Sequence, residues 1–134
     1  MSELSGKVTV FSYKDGKLKE LQTIAADYAH AHGGADIHVS PDGEFVYAST
    51  RLKGDGITIF RVGNKGTLTR VGAQLTGKHP RNFAITPNGN FLLVACRDDN
   101  SIQVYSRDKD TGLLKNTHQD IVLSHPVCVK FYPE

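Results

Sequence analysis

The feature that most constrains this chain is that it says the same thing twice. "DIHVSPDGEFVYASTR", residues 36–51, returns as "NFAITPNGNFLLVACR", residues 82–97, and every matched position is displaced by 46. Val39-Ser40-Pro41-Asp42-Gly43 matches Ile85-Thr86-Pro87-Asn88-Gly89, Phe45 matches Phe91, and Arg51 matches Arg97. Gly66-Thr67-Leu68 and His79-Pro80 recur at the same displacement as Gly112-Leu113-Leu114 and His125-Pro126. A single slip to 45, between Ile57 and Ile102, places a one-residue deletion in a loop. Self-similarity at a period in the forties is the mark of a repeat architecture, in which each copy is one supersecondary unit.

Within a copy the local signals are those of strands. Pro-Asp-Gly and Pro-Asn-Gly are turn sequences, with proline presetting one φ and glycine free to take a positive one. They separate short runs rich in Val, Ile, Phe, Tyr and Thr. Four strands are expected in the first full copy, at about 35–39, 44–50, 56–62 and 67–75, and four in the second, at about 81–85, 90–96, 101–107 and 113–122. No stretch keeps a helical period; "LQTIAADYAHAH" is rich in helix-friendly alanine, but its Gly33-Gly34 ending suits a loop. The second strands, "FVYAS" and "FLLVAC", are apolar on both faces and need cover above and below. Four antiparallel strands per unit, sheets buried on both faces and a period of about 46 describe the blades of a β-propeller. The fold class is all-β, a partial propeller of two and a half to three blades.

The repeat runs off both ends. "VTVFSYKDGKL" from Val8 resembles "ITIFRVGNKGTL" from Ile57, and "HPVCVKF" resembles "HPRNFAI". The expected organisation is an incomplete blade at 1–34, full blades at 35–80 and 81–126, and a closing strand at 127–134. With about four to eight blades in a propeller, such a chain closes no ring alone. A homodimer joined head to tail, pooling the incomplete blades into a six-bladed ring, is one way to cover the open faces.

Composition removes several function classes. Hydrophobic residues are 39% and charged residues 22%, an ordinary globular balance, so disorder is not expected. No apolar run reaches the roughly 20 residues of a membrane span. A net charge of +2 with scattered Lys and Arg provides no basic stripe for nucleic acid. Cys96 and Cys128 lie in apolar, strand-like runs, where free buried thiols in a reducing compartment are expected; the cytoplasm is the default location. His30 and His32 in "HAHGG" have no third ligand placed near them, so no metal site is expected. No phosphate-cradling loop, Gly-x-Ser-x-Gly elbow or paired-cysteine motif occurs, and no cofactor is expected.

"GADIHVSPDGEFVYASTR", "ITIFRV", "GKHPRNFAITPNG" and the ending "PVCVKF" resemble the C-terminal part of the bacterial 6-phosphogluconolactonase family, seven-bladed lactonase propellers. The resemblance implies a site at one end of the central channel, made of a His, two Arg and a Glu from different blades. It implies that the His and one Arg lie on blades absent from this chain. "SELSGKVTVF" resembles the motif that carries the Glu, which puts Glu3 there, and the second Arg falls on Arg51. Glu3, Arg51 and Arg97 occupy equivalent places in the repeat, but the family more often has Asn or Gln where Arg97 stands, so Arg97 is given no catalytic role.

Lactone opening needs a water attacking the ring carbonyl, a base to take its proton and donors for the oxyanion. On that template Arg51 binds phosphate or oxyanion, and Glu3 is the base or orients it. The structural alternative for Arg51 is an ion pair with Asp55, Asp98 or Asp99. On the innermost strands, whose alternate residues face the channel, Asp36, His38, Arg81 and Asn82 are candidate substrate-binding residues; a hydrogen bond to water is the alternative for His38, and inter-blade hydrogen bonds are the alternative for Arg81 and Asn82. The implied activity is hydrolysis of a sugar-acid lactone, with 6-phosphogluconolactone in the pentose phosphate pathway the leading substrate and the isolated segment inactive. A non-catalytic binding module is the other reading, since propellers serve many functions.

Overall fold

A computed structural model describes residues 1–26 and 32–132. Strands β1 (Lys7–Lys14) and β2 (Lys17–Ala25) form a two-stranded antiparallel sheet. A four-stranded meander follows, β3 (Gly34–Val39), β4 (Phe45–Thr50), β5 (Gly56–Val62) and β6 (Leu68–Leu75), paired in chain order. The third sheet repeats it with β7 (Pro80–Ile85), β8 (Phe91–Cys96), β9 (Ser101–Arg107) and β10 (Leu114–Asn116), and β11 (Ile121–Val122) also pairs β9. The helices among the described residues are single 3₁₀ turns at Asn64–Gly66 and Arg97–Asp99. The chain is all-β, a partial propeller.

Seven of the eight expected strands agree with the structure to within one residue at each end. The eighth, 113–122, is split. Thr117 turns its backbone N–H and its hydroxyl onto the Val104 carbonyl, at 3.0 and 2.7 Å, and His118 then takes a left-handed φ of 56°. That geometry leaves the ladder, which resumes at β11. The helix-friendly residues 21–25 are strand, the end of β2, because pairing with β1 overrides alanine's propensity; residues 27–31 of that stretch, His30 among them, lie outside the described residues. The closing strand expected near 127–132 is absent. A ladder needs a partner, and none of the described strands pairs with this segment. The segment is tied to β7 through Val129 N–H, which bonds Asn82 Oδ1 at 2.7 Å.

The repeat extends to individual hydrogen bonds. Gly43 N–H bonds the Ser40 carbonyl at 2.8 Å and Gly89 N–H the Thr86 carbonyl at 2.7 Å, each glycine at positive φ, 76° and 72°. The Ser40 and Thr86 hydroxyls each accept from the phenylalanine five residues on, Phe45 N–H and Phe91 N–H, both at 3.0 Å. This closed loop turns each innermost strand into the second strand.

The second strand of the middle sheet explains why it is apolar on both sides. All six residues of β4 are buried. Phe45 and Tyr47 enter a core shared with Phe83, Leu92, Val94 and Tyr105 of the third sheet. Val46 and Ala48 enter a second core with Val8 of β1, Phe60 and Leu68. One strand thus serves two interfaces, and each fully buried large side chain contributes about 1.5–3 kcal/mol. β8 differs: Leu92, Val94 and Cys96 fill the shared core, but Phe91 remains 40% exposed because no described sheet packs beyond it.

A buried polar staple fixes the second and third sheets together. The Arg107 side chain is fully buried and donates to Tyr47 Oη (2.8 Å), the Gly89 carbonyl (3.1 Å) and Asp42 Oδ2 (2.7 Å). Tyr47 Oη in turn donates to the Gly112 carbonyl at 2.7 Å. Burial raises the Asp42 carboxyl, but hydrogen bonds from Ser40, the Glu44 N–H and Arg107 outweigh it and bring it to about 2.

Candidate functional site

Arg51 leaves the end of β4 and turns inward, its side chain only 11% exposed. The backbone around it is laced tightly. Arg51 N–H bonds the Gly33 carbonyl at 2.9 Å, and Gly34 N–H bonds the Glu3 carbonyl at 3.1 Å. A Cβ on residue 33 would lie 2.1 Å from the Arg51 carbonyl oxygen, so only glycine lets the two segments approach. This draws the turn before β1 against the end of β4, and Arg51 Nη2 forms an ion pair with the Glu3 carboxylate. The spacing of 48 residues in the chain becomes direct contact.

The other terminal nitrogen, Nη1, meets His79 Nε2 at 3.1 Å. His79 Nδ1 lies 3.4 Å from Asp98 Oδ2, and Asp98 Oδ1 accepts from Arg97 Nε at 2.7 Å. A connected row therefore runs Glu3, Arg51, His79, Asp98, Arg97, contributed by the loops at one end of all three sheets. Burial and the Arg97 charge push the His79 imidazole below its ordinary range, Asp98 pulls it partly back, and Arg51 pushes it down again; the net direction is down. Of the carboxylates weighed as partners for Arg51, none pairs with it. Asp55 accepts His79 N–H at 3.0 Å, Asp98 pairs with Arg97, and Asp99 accepts Lys78 N–H at 2.6 Å.

The second cluster lies on the inner strands. Their pairing is bulged at matching positions, between Gly34 and Ile37 and between Pro80 and Asn82. Bulges re-aim side chains and are common beside functional sites. Asp36 Oδ2 accepts from Asn82 Nδ2 (2.5 Å), His38 Nε2 (2.9 Å) and Phe83 N–H (3.1 Å). Asn82 Oδ1 accepts Val129 N–H, so each of these Asx side chains takes the backbone N–H 47 residues further along. Asp36 and Asn82 thus tie successive inner strands together. Burial raises the Asp36 carboxyl, but the bonds from His38 and Phe83 N–H outweigh it and leave it below the usual carboxylate range. His38 packs edge-on to Phe83 with ring centres 4.8 Å apart and stays partly open to solvent. Arg81 is exposed.

The residue that sequence reasoning missed is His79. Its recurrence as His125 served only to mark the repeat, yet both take a left-handed φ, 58° and 44°, unusual for a side chain of this size. Each is pinned through its N–H to a loop Asx oxygen, Asp55 at 3.0 Å and Asn100 at 3.1 Å.

Among the described residues no group of three or more His, Cys, Asp and Glu is placed to hold a metal ion. His32 turns its ring Nδ1 onto the Leu4 carbonyl at 2.5 Å. Both cysteines are free. Cys96 is buried as expected, its thiol pushed up to about 12 chiefly by burial. Cys128 is exposed, contrary to expectation, because the strand that would have buried it does not form.

Sheets that repeat as four-stranded meanders, with a charged row at their shared end, define a segment of a β-propeller. The chain belongs to the lactonase, 7-bladed beta-propeller family, whose model matches residues 1–131. It is 44% identical over 133 residues to a 6-phosphogluconolactonase of Formosa agariphila, covering 92% of this chain and 36% of that protein. It is 34% identical over 140 residues to the 6-phosphogluconolactonase of Bacillus subtilis, covering 98% of this chain and 39% of that one. Among solved structures it superposes on a candidate 6-phosphogluconolactonase of Bacteroides fragilis with a TM-score of 0.96 at 58% identity, over 98% of this chain and 37% of that one. The periplasmic gluconolactonase of Pseudomonas aeruginosa gives a TM-score of 0.90 at 32% identity, over 98% of this chain and 38% of that one. The chain therefore spans 36–39% of the length of these relatives. The C-terminal placement expected from the sequence is not borne out; the chain is a part of such a propeller.

Proposed function

We propose that this segment contributes part of the active site of a sugar-lactone hydrolase, and that the whole protein converts 6-phosphogluconolactone to 6-phosphogluconate in the pentose phosphate pathway. The observation that carries the reading is the contact of Glu3 with Arg51, in a chain whose relatives in Formosa agariphila and Bacillus subtilis are named 6-phosphogluconolactonases. No helix among the described residues is long and apolar enough to cross a membrane.

In this mechanism water attacks the lactone carbonyl carbon and Glu3, a solvent-facing carboxylate, accepts its proton. The Arg51 guanidinium, held at a fixed angle by two partners, donates to the developing oxyanion or to the substrate phosphate. Collapse of the tetrahedral intermediate breaks the ring C–O bond, and the departing alkoxide takes the proton back from Glu3. His38 and Arg81, the inner-strand candidates with open surface, contact substrate hydroxyls and phosphate; Asp36 and Asn82 act on the ligand by fixing the strands that carry them. The 134-residue chain alone hydrolyses lactone poorly, since it supplies one part of the ring.

The test is hydrolysis of 6-phosphogluconolactone by the full-length protein that carries this segment. Glu3→Gln is expected to lower kcat by about 10²-fold or more, the scale of a lost general base. Turnover unchanged in that variant removes Glu3 from the mechanism, and no turnover of any sugar lactone by the unaltered protein removes the lactonase reading. The cytoplasm fits the exposed free thiol of Cys128; cell fractionation decides, and a periplasmic pool would move the proposal to a gluconolactone. In the isolated chain, the two-stranded β1–β2 sheet and the unpaired residues 127–132 favour head-to-tail pairing of two copies. Light scattering is expected to give a dimer mass; a monomer mass at high concentration excludes it.

A further inference from the structure

We infer that His79 is a positioning residue: its neutral imidazole holds the Arg51 guanidinium against Glu3, and protonation of the ring releases it. The inference rests on the proposed role of Arg51, and it adds to the site a residue and a pH control that the resemblance does not supply.

The geometry leaves little freedom. Every nitrogen of a guanidinium is a donor, so the 3.1 Å contact from Arg51 Nη1 requires a lone pair on His79 Nε2. The ring proton is then on Nδ1, which faces Asp98 at 3.4 Å. Asp98 is itself held by Arg97 at 2.7 Å, so the acceptor that selects this tautomer is fixed from the far side. The His79 backbone is clamped as well. Its N–H bonds Asp55 Oδ1 at 3.0 Å, its carbonyl accepts Arg97 N–H at 3.1 Å, and it takes φ 58°, a conformation that persists only where the surroundings impose it. The ring is 11% exposed, against 11% for Arg51.

The charged groups facing this ring are Arg51 from the end of β4, Asp55 from the loop before β5, and Arg97 and Asp98 from the turn after β8. Two cations and two carboxylates surround it. A proton added to Nε2 would replace the acceptor by a donor and set a second positive charge beside Arg51. The contact then breaks, and the guanidinium loses one of the two partners that fix its plane.

The decisive experiment reads the ring directly in the 134-residue protein, by long-range ¹H–¹⁵N NMR across about pH 4 to 8, the span in which histidine titrates. Expected are Nδ1–H with a bare Nε2 at neutral pH, and Arg51 guanidinium resonances that shift with the same midpoint as His79. His79→Gln offers an acceptor that does not titrate, and should keep the neutral-pH Arg51 signals while abolishing their pH dependence. His79→Phe should lose them. An Nε2–H tautomer at neutral pH, or Arg51 signals indifferent to the His79 titration, overturns the inference, and both are read on the unaltered chain even if a variant fails to fold. In the full-length protein the acid limb of kcat/KM should carry a His79 step in addition to the Glu3 carboxylate, and lose that step in His79→Gln, with kcat in His79→Phe down roughly tenfold, the scale of one hydrogen bond to a charged group. Normal NMR behaviour without lactone hydrolysis sinks the proposed function and leaves the positioning role; hydrolysis with an acid limb unchanged in His79→Gln does the reverse.

Discussion

Arg51 and Arg97 stand at the same place in two copies of one repeat, and the structure treats them differently. Arg51 is nine-tenths buried, with Glu3 on one terminal nitrogen and His79 on the other. Arg97 is 41% exposed and pairs with the adjacent Asp98. Two neighbours account for this. The preceding unit offers Arg51 a carboxylate, Glu3, whereas at the equivalent place it offers Arg97 another arginine, so Arg97 turns to the nearest local carboxylate. The following unit covers Arg51 with His79 and the paired strand β7, whereas the equivalent His125 leads into residues 127–132, which pair with no described strand. A repeat supplies a position; the residues on either side decide whether it becomes a buried, oriented charge or a solvated one.

A third arginine gives the comparison its reference, because Arg107 is wholly buried and all its partners lie between two sheets. Arg107→Met should destabilise the chain most, by about 3 kcal/mol, since it takes a charged donor from the buried Tyr47 Oη and Gly89 carbonyl, while Asp42 keeps Ser40 and the Glu44 N–H. Urea unfolding measures this, and a loss below that of the rim arginines would break the ranking. Arg51→Ala should cost about 1–3 kcal/mol, from hydrogen bonds to charged partners in a largely buried setting, while Arg97→Ala, an exposed pair, should cost under about 1 kcal/mol. Equal losses would erase the distinction between the two corners. The smallest effect is on pH dependence. His79 is held below its usual 6.5 in the folded chain, so its contribution is present above that value and is lost as pH falls through the lowered one. Midpoints measured from pH 7 downward should decline less steeply in His79→Gln than in the unaltered chain, and identical slopes would contradict the assigned burial of the ring.

The fold was legible because it is written twice. Seven strands, both Pro-Asx-Gly turns and the two-sided burial of β4 follow from periodicity and turn chemistry. β8 shares the apolar pattern of β4 but has only one face well covered, a difference that depends on which neighbours are present and not on its own residues. Residues 127–132 copy the sequence of an inner strand without forming one, for the same reason: a strand is a property of a pair. The contact of Glu3 with Arg51 was legible in part, through the repeat register and the family resemblance. For Asn82 an inter-blade hydrogen bond was one of two readings left open; for Asp36 it was not legible, because an Asx on a channel strand has the same local signature whether it faces a ligand or its neighbour's backbone. His79 escaped because its importance lies in a left-handed backbone and in partners from two separate loops, β4–β5 and β8–β9, neither of which is local in sequence.

Of the two equivalent arginines, the proposed function recruits Arg51 to chemistry and not Arg97. Turnover of 6-phosphogluconolactone by the full-length protein, measured side by side for Arg51→Ala and Arg97→Ala, tests it most directly. Loss of an oxyanion or phosphate donor predicts a fall in kcat/KM of about 10²-fold or more for Arg51→Ala, whereas Arg97, which reaches the site only through Asp98, should change it by no more than about fivefold, one kcal/mol or less. Equal losses in the two variants, or an Arg51→Ala protein that turns over normally, would contradict the account.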